Sequence, residues 1–159
     1  MITKEFLKDV EIFKALPDDQ RAKLAGLARA ETFKKGDAIF RERESGGKVF
    51  VVMSGVVEVG RFGRADGRFT RLARLERGEI FGELALVEDA PHSASAIAAV
   101  CPETRVGVWE TSALRTLLAE DAPLANAVLR ALVVKLSHRL RGASEAVLTL
   151  LRTLDITHA

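Results

Sequence analysis

Residues 81–86 read Phe-Gly-Glu-Leu-Ala-Leu, and residues 91–96 read Pro-His-Ser-Ala-Ser-Ala. Gly82 permits a tight turn or a close backbone approach that a Cβ would block. A short helix starting at Glu83 and running through Leu84 and Ala85 would present free N–H groups, a natural seat for an anion. Glu83 also suits a helix start as an ordinary acid favourable to the dipole. Ser93 offers a hydroxyl and Ala94 a backbone N–H at the head of a run of small residues. His92, between Pro91 and Ser93, reads either as a ligand contact or as a solvent-facing loop residue.

Outward from this segment, nine of the twelve glycines fall between residues 36 and 82: Gly36, Gly46, Gly47, Gly55, Gly60, Gly63, Gly67, Gly78 and Gly82. Strand-like runs sit between them at 38–40, 48–53, 56–59 and 69–75, and two more follow at 93–100 and 103–109. Short strands separated by turn signals predict an antiparallel sandwich or barrel. Asp66-Gly67 predicts a hairpin turn, since both residues tolerate positive φ. The chain ends are helical. Phe6, Val10 and Phe13 share a helical face. Pro17 opens a second helix, with Leu24, Leu27 and Ala28 inward. Thr111 or Ser112 is expected to cap a third, whose apolar face is Leu114, Leu117 and Leu118. Pro123 opens a long last helix over about 123–154.

That helix carries Leu129, Val133, Leu136, Leu140, Ala143, Val147, Leu150 and Leu154 at spacings of 4, 3, 4, 3, 4, 3 and 4. A narrow apolar seam of this length predicts a parallel homodimer, with Val133, Leu140, Val147 and Leu154 at a and Leu129, Leu136, Ala143 and Leu150 at d. The alternative is one helix lying on its own core, which normally shows a wider stripe. Gly142 weakens the helix interior by about 1 kcal/mol relative to alanine. It implies a bend or a close approach.

Composition narrows the function classes. The 159 residues suffice for one domain with a real core, taken as 1–159. Lys plus Arg number 24 against 22 Asp plus Glu, so net charge points neither toward nor away from nucleic acid. The one cysteine, Cys101, excludes an intrachain disulfide and a cysteine-rich zinc site. No apolar run reaches the roughly 18 residues that span a bilayer. The N-terminus lacks a secretory pattern, so a cytoplasmic protein without membrane contact is expected. The histidines, His92, His138 and His158, are too scattered for a cupin-type metal centre. No nucleophile stands beside a histidine and no Walker loop is present. The chain is therefore expected to be no enzyme, with no catalytic residues, no metal and no cofactor.

The two quoted segments resemble the phosphate-binding cassette of the cyclic-nucleotide-binding domain family. Lys35-Gly36-Asp37, residues 50–53 and Ser54-Gly55-Val56-Val57-Glu58-Val59 match that family's glycine-punctuated strands. The likeness covers about residues 13–151 and is nearest to the sensory half of catabolite-activator-type regulators. It implies an α+β fold: an antiparallel β-roll or jelly-roll core, flanked by N-terminal helices and a long C-terminal dimerisation helix. It implies a possible ligand, cyclic AMP or cyclic GMP, bound by Gly82, Glu83, Leu84, Ala85, His92, Ser93 and Ala94. Glu83 would accept a ribose 2′-hydroxyl, while Ser93 and the Ala94 N–H would meet the phosphate. His92 stands where nucleotide-binding members carry arginine, so a permanent charge and a bidentate fork are lost. Ser144 falls where a base-contacting hydroxyl is found, although Ala143 replaces a second one. Both Ser137 and Ser144 also read as small polar residues on a coiled-coil flank. The family's helix-turn-helix domain has no room before Ala159, so no direct DNA binding is expected. The expectation is a stand-alone sensory or regulatory module signalling through dimer geometry or an unknown protein partner. The alternatives are a degenerate, non-binding dimeric scaffold and the sensory half of a transcription regulator.

Overall fold

The computed structural model describes residues 1–158. Its order is a 3₁₀ turn (Phe6–Asp9), α1 (Asp18–Leu27), β1 (Arg29–Lys34), β2 (Ala38–Phe40), β3 (Lys48–Ser54), β4 (Val57–Phe62), β5 (Phe69–Leu75) and β6 (Ile80–Phe81). A second 3₁₀ turn (Glu83–Leu86), β7 (Ser95–Ala98), β8 (Glu103–Glu110), α2 (Thr111–Glu120) and α3 (Ala122–His158) complete it. Among the described residues the strands form two antiparallel sheets, ordered β1-β8-β3-β6 and β2-β7-β4-β5. This is the expected α+β architecture, with the long C-terminal helix in place.

β3 explains how the layers are glued. Val49 and Val51 point to the helical side, packing with Phe13, Leu24, Trp109, Leu124 and Leu132. Phe50 and Val52 point between the sheets, against Phe40, Val57, Phe81, Ala96, Val106 and Val108. A strand covered on both faces reads as a continuous apolar run, not an alternating one, and residues 49–53 do so. The single tryptophan, Trp109, donates its indole N–H to the Leu24 carbonyl at 2.8 Å, fastening α1 to β8. Phe13 meets it edge-on, with centroids 5.9 Å apart. On β8, Gly107 leaves room for Ile2, whose Cδ1 would lie 2.0 Å from an added Cβ.

The hairpin expected at Asp66-Gly67 joins β4 to β5, with Gly67 at φ +65° and its N–H on the Gly63 carbonyl at 3.0 Å. Four local readings need correction. The helix expected to carry Phe6, Val10 and Phe13 is only a 3₁₀ turn over Phe6–Asp9. Neither Thr111 nor Ser112 caps α2. Glu110 holds the N-cap position without a side-chain bond, and the Thr111 hydroxyl donates instead to the Gly47 carbonyl at 3.1 Å. Leu27, at the last position of α1, turns outward. β1 and β6 escape the sequence pattern, because β1 is a charged edge strand and β6 has only two residues.

Asp121 caps α3, its Oδ1 accepting the Leu124 N–H at 3.0 Å. Leu124, Val128 and Leu132 then bury one face of α3 against the body. No described helix is long and apolar enough to cross a membrane. Removing the fully buried Leu124 side chain as Leu124→Ala is expected to cost about 3 kcal/mol of unfolding free energy. The measurement is a lowered urea midpoint at unchanged slope. A loss below about 1 kcal/mol would mean that α3 is not anchored there.

Candidate functional site

A cavity of about 760 Å³ lies between the sheets' open end and α3. It is lined by the turn Gly82–Ala85, by residues 90–94, by Phe40, Val59 and Leu75, and by Ala131, Val134, Lys135, His138 and Arg139 of α3. Gly82 sits in the left-handed region at φ 70°. A Cβ there would lie 3.0 Å from the Lys48 carbonyl and 3.1 Å from the Phe50 ring, so both the conformation and the close approach demand glycine. The Glu83 and Leu84 amides enter none of the turn and loop hydrogen bonds among the described residues. Arg115 of α2 braces the outer side of this turn. Its Nε donates to the Leu86 carbonyl at 3.1 Å, and its Nη2 to the Ala85 carbonyl at 2.8 Å and to Asp89 at 2.9 Å.

The Glu83 side chain is 3% exposed. A carboxylate that deep needs counter-charge and hydrogen bonds to remain ionised. It finds them on α3: Arg139 Nη1 at 2.8 Å and Lys135 Nζ at 3.5 Å. Lys135 also donates to the Ile80 carbonyl. Burial pushes the Lys135 ammonium below its ordinary value, and the neighbouring Glu83 opposes that shift.

The His92 ring stacks on Phe40, with centroids 3.7 Å apart and planes 13° apart. Phe40 in turn contacts Phe50 and Phe81, giving the cavity an aromatic floor. The His92 backbone is tied to the loop after β2. Its N–H donates to the Glu44 carbonyl at 2.9 Å, and its carbonyl accepts the Arg43 N–H at 2.8 Å. Burial lowers the imidazole's pKa from its usual 6.5, and the Glu44 carboxylate opposes this only in part. The ring is thus neutral near pH 7. Ser93 is exposed at the cavity wall, whereas Ala94 and Ser95 are buried. No group of three or more His, Cys, Asp or Glu among the described residues is placed to hold a metal.

Residues 30–121 match the Cyclic nucleotide-binding domain family. The chain belongs to that family. It is 36% identical over 95 residues to a cAMP-dependent protein kinase regulatory subunit of Candida albicans, covering 60% of this chain and 20% of the subunit. It is 28% identical over 146 residues to a CRP-like cAMP-activated global transcriptional regulator of Mycobacterium tuberculosis, covering 91% of this chain and 63% of the regulator. The chain therefore spans only part of these curated relatives, which are regulatory proteins. Among solved structures, the N-terminal domain of a transcriptional regulator from Streptomyces coelicolor superposes with a TM-score of 0.71 at 31% identity. The match covers 89% of this chain and 96% of that one.

Within this cyclic nucleotide-binding domain, Gly82, Glu83, Leu84, Ala85, His92, Ser93 and Ala94 come together around one cavity. Ser144 does not join them. It is exposed on α3, and its hydroxyl donates to the Leu140 carbonyl at 3.0 Å. Lys135, Arg139 and Phe40 escaped the sequence reading. A signal for the two cations exists: they continue the body-facing register of Leu124, Val128 and Leu132, where an apolar residue is expected. Gly82→Ala is expected to destabilise the domain by about 1–3 kcal/mol through left-handed strain and crowding. Denaturant titration measures the loss, and amide spectra should show shifts centred on residues 83–86. A neutral substitution would mean that the turn does not depend on this conformation.

Proposed function

We propose that this domain senses cyclic AMP or cyclic GMP in the cavity and works as a homodimer through α3. The observation that carries the reading is the convergence of a glycine-led turn with unused amides, Ser93 and Ala94 on one cavity that α3 closes. The matched kinase subunit is named as cAMP-dependent and the matched regulator as cAMP-activated, which supports the ligand class. In this reading the phosphate lies between the Glu83 and Leu84 amides and the Ser93 hydroxyl and Ala94 N–H. The ribose 2′-hydroxyl donates to Glu83, and the base lies along the apolar wall. Because Glu83 is also held by Arg139 and Lys135, a hydroxyl on that carboxylate competes with the α3 contacts. Occupancy thus acts on α3, and through α3 on dimer geometry or a separate protein partner.

His92 favours a second reading, a dimeric scaffold of the same fold that binds no nucleotide. A neutral, stacked imidazole lacks the charge-assisted bond of an arginine, worth about 1.5–3 kcal/mol. Calorimetric titration with cyclic AMP, cyclic GMP and cyclic dinucleotides separates the two readings. His92→Arg is expected to tighten cyclic nucleotide binding by roughly ten- to a hundredfold, the equivalent of that bond. In the wild type, a bound phosphate raises the imidazole pKa, so binding takes up a proton. Affinity is therefore expected to rise as pH falls from about 8 to about 5.5 through the His92 range. Equal affinities at both pH values would mean that His92 does not touch the phosphate. No binding by wild type or His92→Arg would select the scaffold.

Two features of α3 support the dimer. Apart from the half-buried Leu136, the seam residues are turned away from the body, with Val133 66% and Leu140 70% exposed. From residue 140 to residue 154 every side chain is exposed. Such a heptad stripe buried against a second copy has the form of a coiled-coil seam. Leu140→Glu is expected to convert a dimer to monomer in sedimentation at micromolar concentration. A wild type that is already monomeric there overturns the seam.

A further inference from the structure

We propose that Arg61 on β4 is a positioning residue of the anion site. It holds the Ser93–Ala94 peptide with its N–H toward the cavity and lends that peptide the permanent positive charge that residue 92 lacks. The inference rests on the nucleotide reading above.

The Arg61 Nε donates to the Ser93 carbonyl oxygen at 2.9 Å. In a trans peptide the carbonyl and the following N–H point to opposite sides. A donor fixed on the Ser93 oxygen therefore turns the Ala94 N–H the other way. Ala94 is buried and lines the cavity, and its N–H enters no turn or loop hydrogen bond among the described residues. Arg61 itself is not among the residues lining the cavity, so it acts on a bound anion through the peptide and not by contact.

The strand register explains how Arg61 arrives there. Val59 lines the cavity, and a register shift between Val59 and Gly60 interrupts the pairing of β4 with β5. Gly60 pairs with Ser95 of β7, so Arg61 continues along β4 beside the residues just before that strand. The charge is also only loosely matched. The nearest carboxylate, Glu42, lies 3.7 Å from Nε, whereas Arg71, Arg74 and Arg77 each sit within 3.3 Å of an acid.

Calorimetry on the full chain, with cyclic AMP and with adenosine as a probe without phosphate, compares wild type, Arg61→Gln and Arg61→Lys. Arg61→Gln is expected to weaken cyclic AMP binding about tenfold. That is the order expected of a charge acting on the anion through one peptide, discounted for solvent screening. Arg61→Lys should recover most of the loss, and adenosine should bind all three proteins alike. In the ligand-free protein, Arg61→Gln should shift the Ala94 amide resonance. Unchanged cyclic AMP affinity in Arg61→Gln overturns the inference, as does an equal loss for adenosine, which marks a purely structural role. An unmoved Ala94 resonance overturns it without any ligand. If the wild type does not bind cyclic AMP, the nucleotide reading falls, and the Ala94 resonance still decides whether Arg61 holds the peptide.

Discussion

A buried carboxylate must be answered by cations close at hand, and here both are supplied by a distant part of the chain. Only Gly82 separates Glu83 from β6, and Arg139 and Lys135 reach it across 56 and 52 residues of sequence. Breaking one side of such a group leaves an uncompensated charge in a poorly solvated place, which is more costly than never having formed it. The turn at 83–86 and the first half of α3 are therefore held as one unit. The Lys135 bond to the Ile80 carbonyl extends the same lock back to the start of β6. Lys135 and Arg139 also line the cavity, so the lock holds the α3 wall of the site against the turn.

α3 meets two different demands on its two sides. Over its first turns, Leu124, Val128 and Leu132 step by four residues and press on the body. Leu129, Val133 and Leu140 run alongside them and remain exposed. Two stripes on one helix at different spacings cannot both be satisfied by one surface, since a 3.5-residue repeat drifts relative to a 3.6-residue helix. The body-facing stripe stops at Lys135 and Arg139, where charge replaces apolar contact, and the heptad continues alone to Leu154.

Much of the fold was legible because the residues that build it carry local signals. β2 and β5 begin and end where the sequence indicates, and the hairpin between β4 and β5 is marked by Asp66-Gly67. β1 was not legible. Arg29, Glu31 and Lys34 look like a solvated loop until β8 supplies the hydrogen-bonding partner, a fact outside the segment. The cavity side of the cassette was readable for the same local reason: Gly82, Glu83, His92 and Ser93 lie within a dozen residues. The α3 side was not, because the register of Leu124, Val128 and Leu132 runs into Lys135 and Arg139 without naming the carboxylate they answer. Only the fold shows that they point at Glu83. Phe40 was equally hidden, since its stacking on His92 joins β2 to a loop far away in sequence.

Trp109 has a separate consequence. The chain has no tyrosine and one tryptophan, so one indole governs its near-ultraviolet emission. That indole sits in the helix-covered core, bonded to Leu24 and beside Phe13, not in the aromatic cluster of Phe40, Phe50 and Phe81 that floors the cavity. Intrinsic fluorescence thus serves as an internal gauge of whether the N-terminal helical layer is seated on β8. A nucleotide absorbing at the cavity and a loosening of that layer are optically separable events in the same molecule, without any attached label.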